Sequence, residues 1–166
     1  MSIIYQSNRI VIREFLPSEE SLFCCFFEDK EVTQYLPQLH KDDYRYLFGL
    51  ALKDYKHGPF GRWGIFDTEN SNFIGNCLLR PFVEIPGQME IGYSLDKSYW
   101  GRGIGTEVAK ALICYGFAKT DSNEIVALTD IRNRGSQKVL QNSGFEQLEN
   151  ILRKGVELNY FLIKRS

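Results

Sequence analysis

The sequence lacks any apolar run long enough to cross a membrane. Of its 166 residues, 43% are hydrophobic, but no stretch approaches the roughly 20 consecutive apolar residues that a spanning helix requires. The formal net charge of -1 provides no excess of positive charge for holding nucleic acid. Residues 1–12 mix polar, charged and short apolar stretches and lack the layout of a signal peptide. We therefore predict a cytoplasmic protein with no membrane or nucleic-acid partner, and the chain length predicts a single domain over residues 1–166.

Residues that bind metals or form disulfides are also scarce. The chain has four cysteines and two histidines, no two cysteines form a C-x-x-C pair, and the histidines have no metal-ligand spacing. Small buried thiols in a reducing cytosol account for this pattern, and we expect no metal site. A reactive thiol or a zinc site is the alternative. The residues concerned are Cys24, Cys25, Cys77, Cys114, His40 and His57.

The apolar periodicity predicts an α+β fold with a mixed, mostly antiparallel sheet of about six or seven strands flanked by helices. In the N-terminal half, a strand at 9–13 precedes helices at 19–27 and 42–56, with a short helix or turn between the two. Ser18 has the side chain of a good N-cap for the first helix. Three later strands joined by turns form an antiparallel meander at 63–67, 73–80 and 89–95.

The C-terminal half contains a strand–helix–strand unit. A helix at 106–119 separates the strand at 89–95 from a buried-type strand at 124–130. A strand that returns after a helix usually runs parallel to the first, so we expect these two to be parallel. Asn133 is expected to cap a short helix at 134–143. The last two strands are predicted at 146–152 and 156–163.

Residues 99–107, with the sequence YWGRGIGTE, contain three glycines between the predicted strand and helix. Glycine lets backbone N–H groups approach an anion closely, and a helix N-terminus adds a positive dipole. The pattern predicts a pyrophosphate-bearing ligand held by the backbone. A dinucleotide-binding fold needs its glycine motif early, in a parallel βαβ unit, and a P-loop needs G-x-x-x-x-G-K-[ST]. Neither arrangement occurs here.

Three segments together carry a family resemblance: residues 90–93 (EIGY), residues 99–107, and the spaced pattern N-x-x-S-x-x-V-L-x-x-x-G-F over 133–145. With them, the chain resembles the GNAT superfamily of acyl-CoA N-acyltransferases, and most of all its ribosomal-protein alanine N-acetyltransferase branch. Residues 8–13 and 31–36 are similar to that branch as well. The resemblance implies a GNAT-like fold and acetyl-CoA as cosubstrate. It also implies transfer of the acetyl group to a primary amine by direct attack in a ternary complex.

The resemblance also implies a set of cofactor-binding residues. The family's pyrophosphate loop, [Gln/Arg]-x-x-Gly-x-[Gly/Ala], aligns its small positions with Gly103 and Gly105 and its first position with Trp100, which departs from the general pattern. Backbone N–H groups along the loop would hold the pyrophosphate, and the pantetheine arm would pair like an extra strand. Arg102 either reaches a phosphate or stays solvated. The expected residues are Ser94, Leu95, Trp100, Gly101, Arg102, Gly103, Ile104, Gly105, Thr106 and Asn133.

Acetyl transfer requires a neutral amine and a proton for the leaving thiolate. Glu90 is the best candidate base, because it lies between apolar neighbours on the strand that leads into the loop. Its alternative role is structural. Many family members use a tyrosine as the acid, but that position is Leu140 here. In the branch that the chain resembles, a serine can act as the acid, and this serine falls on Ser136. The alternative is that Ser136 only forms hydrogen bonds with CoA.

The acceptor has no diagnostic pattern in the sequence. A protein N-terminus, a polyamine and an amino-sugar antibiotic are all compatible, and a homodimer is left open. A second class of function is a non-catalytic CoA-binding sensor or interaction module on the same fold, which the missing tyrosine permits. A third class is a nucleotide-dependent enzyme on another fold, which tight ATP or NAD binding without CoA binding would reveal.

Overall fold

The computed structural model describes residues 1–166 and contains one eight-stranded sheet with strand order β1-β2-β3-β4-β5-β6-β8-β7. The strands are β1 (Ile3–Gln6), β2 (Ile10–Arg13), β3 (Gly61–Asp67), β4 (Phe73–Pro81), β5 (Met89–Leu95), β6 (Glu124–Asp130), β7 (Glu146–Arg153) and β8 (Val156–Lys164). The helices are α1 (Glu20–Phe26), α2 (Lys30–Thr33), α3 (Lys41–Asp54), α4 (Ile104–Lys119) and α5 (Arg134–Asn142). None of them has the length and apolar character to cross a bilayer.

The sheet is antiparallel except at its centre. Strands β2 to β5 form the predicted meander. Strands β5 and β6 are parallel, as expected, but they pair only at Met89 with Ile125 and at Glu90 with Val126. Beyond these two pairs the strands no longer pair, so one backbone edge of β5 from residue 91 onward has no strand beside it. This split in the middle of the sheet positions the site described below.

The two faces of the sheet carry different helices. On one face, Trp63 and Ile65 of β3 join the main core together with Val108 and Leu112 of α4. On the other face, Phe66 joins an aromatic cluster built mainly from α1 and α3, which contains Phe15, Phe23, Phe27, Tyr44 and Phe48. Adjacent strand residues point to opposite faces, so the alternation along β3 assigns each residue of the meander to one of these two layers.

Three details differ from the sequence-based expectation. The sheet has eight strands because residues 3–6 form the edge strand β1, whose burial does not alternate and therefore left no periodic signal. Ser18 is not an N-cap: residues 17–19 form a 3-10 turn, and the Glu19 carboxylate accepts the Leu16 N–H at 2.8 Å. Helix α4 begins at Ile104 rather than at residue 106, because Gly103 adopts a left-handed conformation directly before it.

Candidate active site

The glycine-rich segment forms an open array of backbone donors at the start of α4. Gly101 and Gly103 have φ angles of 72° and 78°, a region in which a Cβ atom is strained. None of the backbone N–H groups from residue 101 to residue 106 has a hydrogen-bond partner within the chain. The first N–H groups of a helix have no intrahelical acceptor and carry the positive end of its dipole. The segment can therefore hold an anion, and a pyrophosphate matches several converging donors.

Side chains of β1 and of the turn between β1 and β2 hold this loop in place. Tyr5, Ser7 and Arg9, together with Glu107 of α4, are called the clamp below. The Arg9 guanidinium donates to the Arg102 carbonyl oxygen through Nη1 at 2.7 Å and to Glu107 Oε2 through Nε at 2.9 Å. The hydroxyl groups of Ser7 and Tyr5 donate to Oε1 of the same glutamate. Burial alone would raise the pKa of Glu107, but the hydrogen bonds from Ser7 and Arg9 outweigh it, and the pKa lies below its ordinary value. The clamp keeps the loop in shape without using any of its backbone donors.

An open groove of about 370 Å³ borders the loop on the side of Tyr5. Gly103, Thr106 and Lys110 line it together with Tyr5 and Glu107. Lys110 adds a cation close to the array of backbone donors, so the electrostatic preference for an anion extends along the first turns of α4.

Trp100 and Arg102 have different local roles. The Trp100 indole Nε1 donates to the Leu95 carbonyl oxygen at 2.9 Å, which ties the loop to the end of β5. Arg102 is exposed and forms no ion pair; its guanidinium lies 5.1 Å from the centre of the Tyr99 ring. Leu95 itself is buried, while Ser94 is half-buried on the other face of the strand. The free edge of β5 therefore runs directly into the anion-binding loop.

Glu90 lies on β5 where the split begins, and it is only 4% exposed. Its carboxylate is held by two arginines: Arg80 Nε lies 2.6 Å from Oε1, and Arg153 Nη1 lies 2.7 Å from Oε2. Arg153 also pairs with Glu84, and these carboxylates raise the pKa of the guanidinium, Glu84 more than Glu90. Acceptance of a proton by Glu90 would therefore compete with two ion pairs.

Ser136 lies in the first turn of α5, where its N–H donates to the side chain of the expected N-cap Asn133 at 3.1 Å. Its Oγ is 3.3 Å from the hydroxyl oxygen of Tyr93 on β5. Burial raises the pKa of Tyr93 to about 12, which the hydrogen bond with Ser136 opposes. Leu140 is 1% exposed in the main core, so no hydroxyl comes from that position. The result is a pair of hydroxyl groups between the split strand and α5.

Tyr93 belongs to the EIGY segment, but the sequence alone assigned it no role in the site. Its ring lies beside the first turn of α4. A Cβ atom placed on Gly105 would be 3.5 Å from Tyr93 Cε2 and 3.4 Å from Val139 Cγ2. The available signal was the alternation of β5, which puts Tyr93 on the same face as Leu95 and the α4 helix. The contact between Tyr93 and Ser136 of α5 joins residues 43 positions apart in the sequence, so no local pattern predicts it.

The comparisons with known proteins agree with this geometry. A family model described as an acetyltransferase (GNAT) domain matches residues 9–146. The uncharacterized N-acetyltransferase p20 of Bacillus licheniformis is 29% identical over 156 residues, which cover 92% of this chain and 86% of the relative.

Solved structures share the fold over nearly the full length. The ribosomal-protein-S5-alanine acetyltransferase of Vibrio fischeri superposes with a TM-score of 0.83 at 17% identity, covering 99% of this chain and 97% of the other. The ribosomal L7/L12 α-N-protein acetyltransferase RimL, in complex with coenzyme A, superposes with a TM-score of 0.82 at 18% identity, covering 98% of each chain. The expected fold and the resemblance stated from the motifs are confirmed, and the chain belongs to the GNAT family as an acetyl-CoA-dependent N-acetyltransferase.

Proposed function

We propose that this protein transfers the acetyl group of acetyl-CoA directly to a primary amine while both substrates are bound. The observation that carries the proposal is the continuity between the free backbone donors of residues 101–106 and the free edge of β5. A chain-like cosubstrate with a pyrophosphate at one end fits both features at once. Direct attack in such a complex gains its rate mainly from positioning.

The cosubstrate would be held mostly by backbone groups. The N–H groups from Gly101 to Thr106 would bind the pyrophosphate, and Arg102 is free to reach a phosphate because it has no acidic partner. The pantetheine arm would lie along Ser94 and Leu95 as an added strand. Trp100 would brace the junction between the two sites. Asn133 would fix the start of α5 beside the reacting group.

Ser136 is proposed to supply the proton for the leaving thiolate, in partnership with Tyr93. An isolated serine hydroxyl is a poor acid, but its contact with the phenol at 3.3 Å provides a donor of lower intrinsic pKa within one hydrogen bond. The raised pKa of Tyr93 keeps the phenol protonated at neutral pH. The pair would thus take over the role of the usual tyrosine, whose position is occupied by Leu140 in this sequence.

Glu90 is the proposed acceptor of the proton from the incoming ammonium group, directly or through a water molecule. The support for this role is its position where β5 and β6 separate, on the sheet face opposite α4. Its ion pairs with Arg80 and Arg153 fix the position of the carboxylate on this face of the sheet.

A CoA-binding sensor is the second candidate, favoured by the leucine at the position of the usual acid and by the ion-paired state of Glu90. The two functions separate in one experiment, in which acetyl-CoA and a panel of amines are mixed with the protein and free thiol is followed. The enzyme releases thiol in an amine-dependent manner. The sensor binds acetyl-CoA without releasing thiol with any amine in the panel.

The domain organisation and the cellular compartment proposed for this activity rest on the sheet and on the cysteines. One sheet spans residues 3–164, which supports a single domain over residues 1–166. All four cysteines are free, which supports a reducing, cytoplasmic compartment. The acceptor is an amine, with no nucleic-acid or membrane partner, and a homodimer is left open.

A further inference from the structure

Arg62 on β3 is a half-buried cation without an acidic partner. Its Nη1 donates to Asn76 Oδ1 at 2.7 Å, and it forms no ion pair. Burial and, second, the neighbouring charge of Arg80 lower its pKa to about 10. The Phe23 ring, 5.9 Å from the guanidinium, offers partial compensation only. Charges that are largely withdrawn from water are normally paired with an opposite charge, and this guanidinium has no such partner.

The strand register places Arg62 on the face of the sheet that carries Glu90. Arg62 is opposite Leu78 of β4, which is opposite Gly92 of β5. Along the same face, Asn76 is opposite Ser94 and Arg80 is opposite Glu90. Cross-strand partners point to the same side, so Arg62 lies on the same side of the sheet as Glu90, two strands away from β5. Leu78 lies between Arg62 and Gly92 on this face, and Gly92 itself has no side chain.

The charges around Arg62 and Glu90 do not balance. Three guanidinium groups, those of Arg62, Arg80 and Arg153, accompany two carboxylates, those of Glu84 and Glu90. Both carboxylates are already engaged by Arg80 and Arg153. The unmatched positive charge is therefore the one at Arg62.

The contact with Asn76 does not complete a self-sufficient structural pair. Asn76 is 2% exposed, and its Nδ2 has no hydrogen-bond partner. The amide is oriented so that its oxygen serves Arg62, which leaves its own donor group unsatisfied. An unsatisfied buried donor lowers the stability of the folded protein. The same amide orientation fixes the direction of the guanidinium through the bond to Asn76 Oδ1.

We propose that Arg62 binds a carboxylate of the acetyl acceptor, so that the acceptor is an amine that also carries an acidic group. The inference rests on the proposed function and names the substrate class of that site. Neighbouring strands lie about 4.8 Å apart, so β3 is about 10 Å from β5 and the guanidinium is closer. Amine and carboxylate would thus belong to one small molecule or to the first residues of a peptide. Polyamines and amino sugars, which carry several positive charges, would be repelled.

The test uses matched amines that share one reactive amine and differ only in whether the single remote carboxylate is free or present as its primary amide, as in 4-aminobutanoate against 4-aminobutanamide. Spermidine and kanamycin serve as cationic references. For the wild-type protein with acetyl-CoA, we expect kcat/KM for the free acid to exceed that for the amide by about tenfold or more. Arg62→Gln should reduce this ratio to about one, Arg62→Lys should restore part of it, and Arg45→Gln should leave it unchanged.

Equal use of the acid and its amide by the wild type, or preference for spermidine, would overturn the inference. A ratio retained in Arg62→Gln would overturn it as well, provided that this variant binds CoA normally. If no amine releases thiol while CoA binds, the proposed function fails, and the inference is then decided by thermal shift with the same acids. Stabilisation of the wild type but not of Arg62→Gln supports the anion site, and no stabilisation of either rejects it.

Discussion

Arg80 and Glu90 face each other across β4 and β5, with Nε 2.6 Å from Oε1. Arg153 completes the pair from the other side. If Glu90 takes the proton of the incoming amine, Glu90→Gln should lower kcat by about 10²-fold or more. It should also shift the acidic limb of the pH–rate profile upward, because solvent would then have to deprotonate the amine. The measurement is thiol release over a pH series at saturating acetyl-CoA.

Glu84→Gln is the matched control, because it removes the other carboxylate from Arg153 and leaves β5 untouched. Removing one partner of a buried ion pair usually lowers the free energy of unfolding by about 3–5 kcal/mol, and Glu84→Gln should cost less because Glu84 and Arg153 are both partly exposed. Similar falls in rate for both variants, with an unchanged pH profile, would assign Glu90 to the ion-pair network alone.

Tyr93→Phe removes one hydroxyl group of the Tyr93–Ser136 pair and keeps the ring beside α4. We expect kcat to fall by about 10- to 100-fold while the affinity for acetyl-CoA is unchanged, because only protonation of the thiolate is affected. Since burial raises the pKa of Tyr93 to about 12, its deprotonation adds no basic limb to the wild-type profile near neutral pH. Initial rates of thiol release, together with direct binding of CoA, check both statements.

Tyr115→Phe provides the control for loss of a tyrosine hydroxyl, since this group donates to the Pro59 carbonyl oxygen away from the split. The variant that combines Tyr93→Phe with Ser136→Ala should be little slower than the slower single variant, because two members of one donor pair are not additive. Full additivity would mean that the hydroxyl groups act separately.

Local pattern predicts the strands of this fold well. The bounds of β5 and β6 coincide with the predicted segments 89–95 and 124–130. Apolar runs that are bounded by turn residues leave little choice of where a strand begins and ends. Edge strand β1 was missed, because four residues with no alternation in burial are too short for a periodic signal.

The side-chain partnerships of the site could not be predicted in the same way. Glu90 meets Arg153 across 63 residues, and Tyr93 meets Ser136 across 43. Such contacts depend on which strands become neighbours and on how α5 approaches, and neither is encoded in the spacing of a single segment. The expected loop residues were accessible because their chemistry lies in consecutive backbone groups.

Gly103→Ala should separate the cost of backbone strain from the loss of ligand binding. A left-handed conformation costs a residue with a Cβ atom about 1–2 kcal/mol, and Gly87→Ala incurs the same strain in a distant turn with φ of 93°. Neither Cβ atom meets a steric clash. Both variants should lose similar free energy of unfolding in urea, while Gly103→Ala alone weakens CoA binding, by about tenfold or more. Equal CoA affinity in the two variants would remove the loop from the site.

The Arg9–Glu107 clamp predicts an acid-sensitive loop. Because the folded protein lowers the pKa of Glu107, its stabilising contribution is fully present above the unfolded value of about 4.5 and disappears as pH falls through the folded value. Glu19, paired with Arg13 far from the loop, has a lowered pKa as well. Glu107→Gln and Glu19→Gln should each flatten the loss of thermal stability below about pH 5. Only Glu107→Gln should weaken CoA binding at neutral pH, since only that carboxylate holds Arg9 against the carbonyl of Arg102. Unchanged CoA affinity in Glu107→Gln would show that the loop keeps its shape without the clamp.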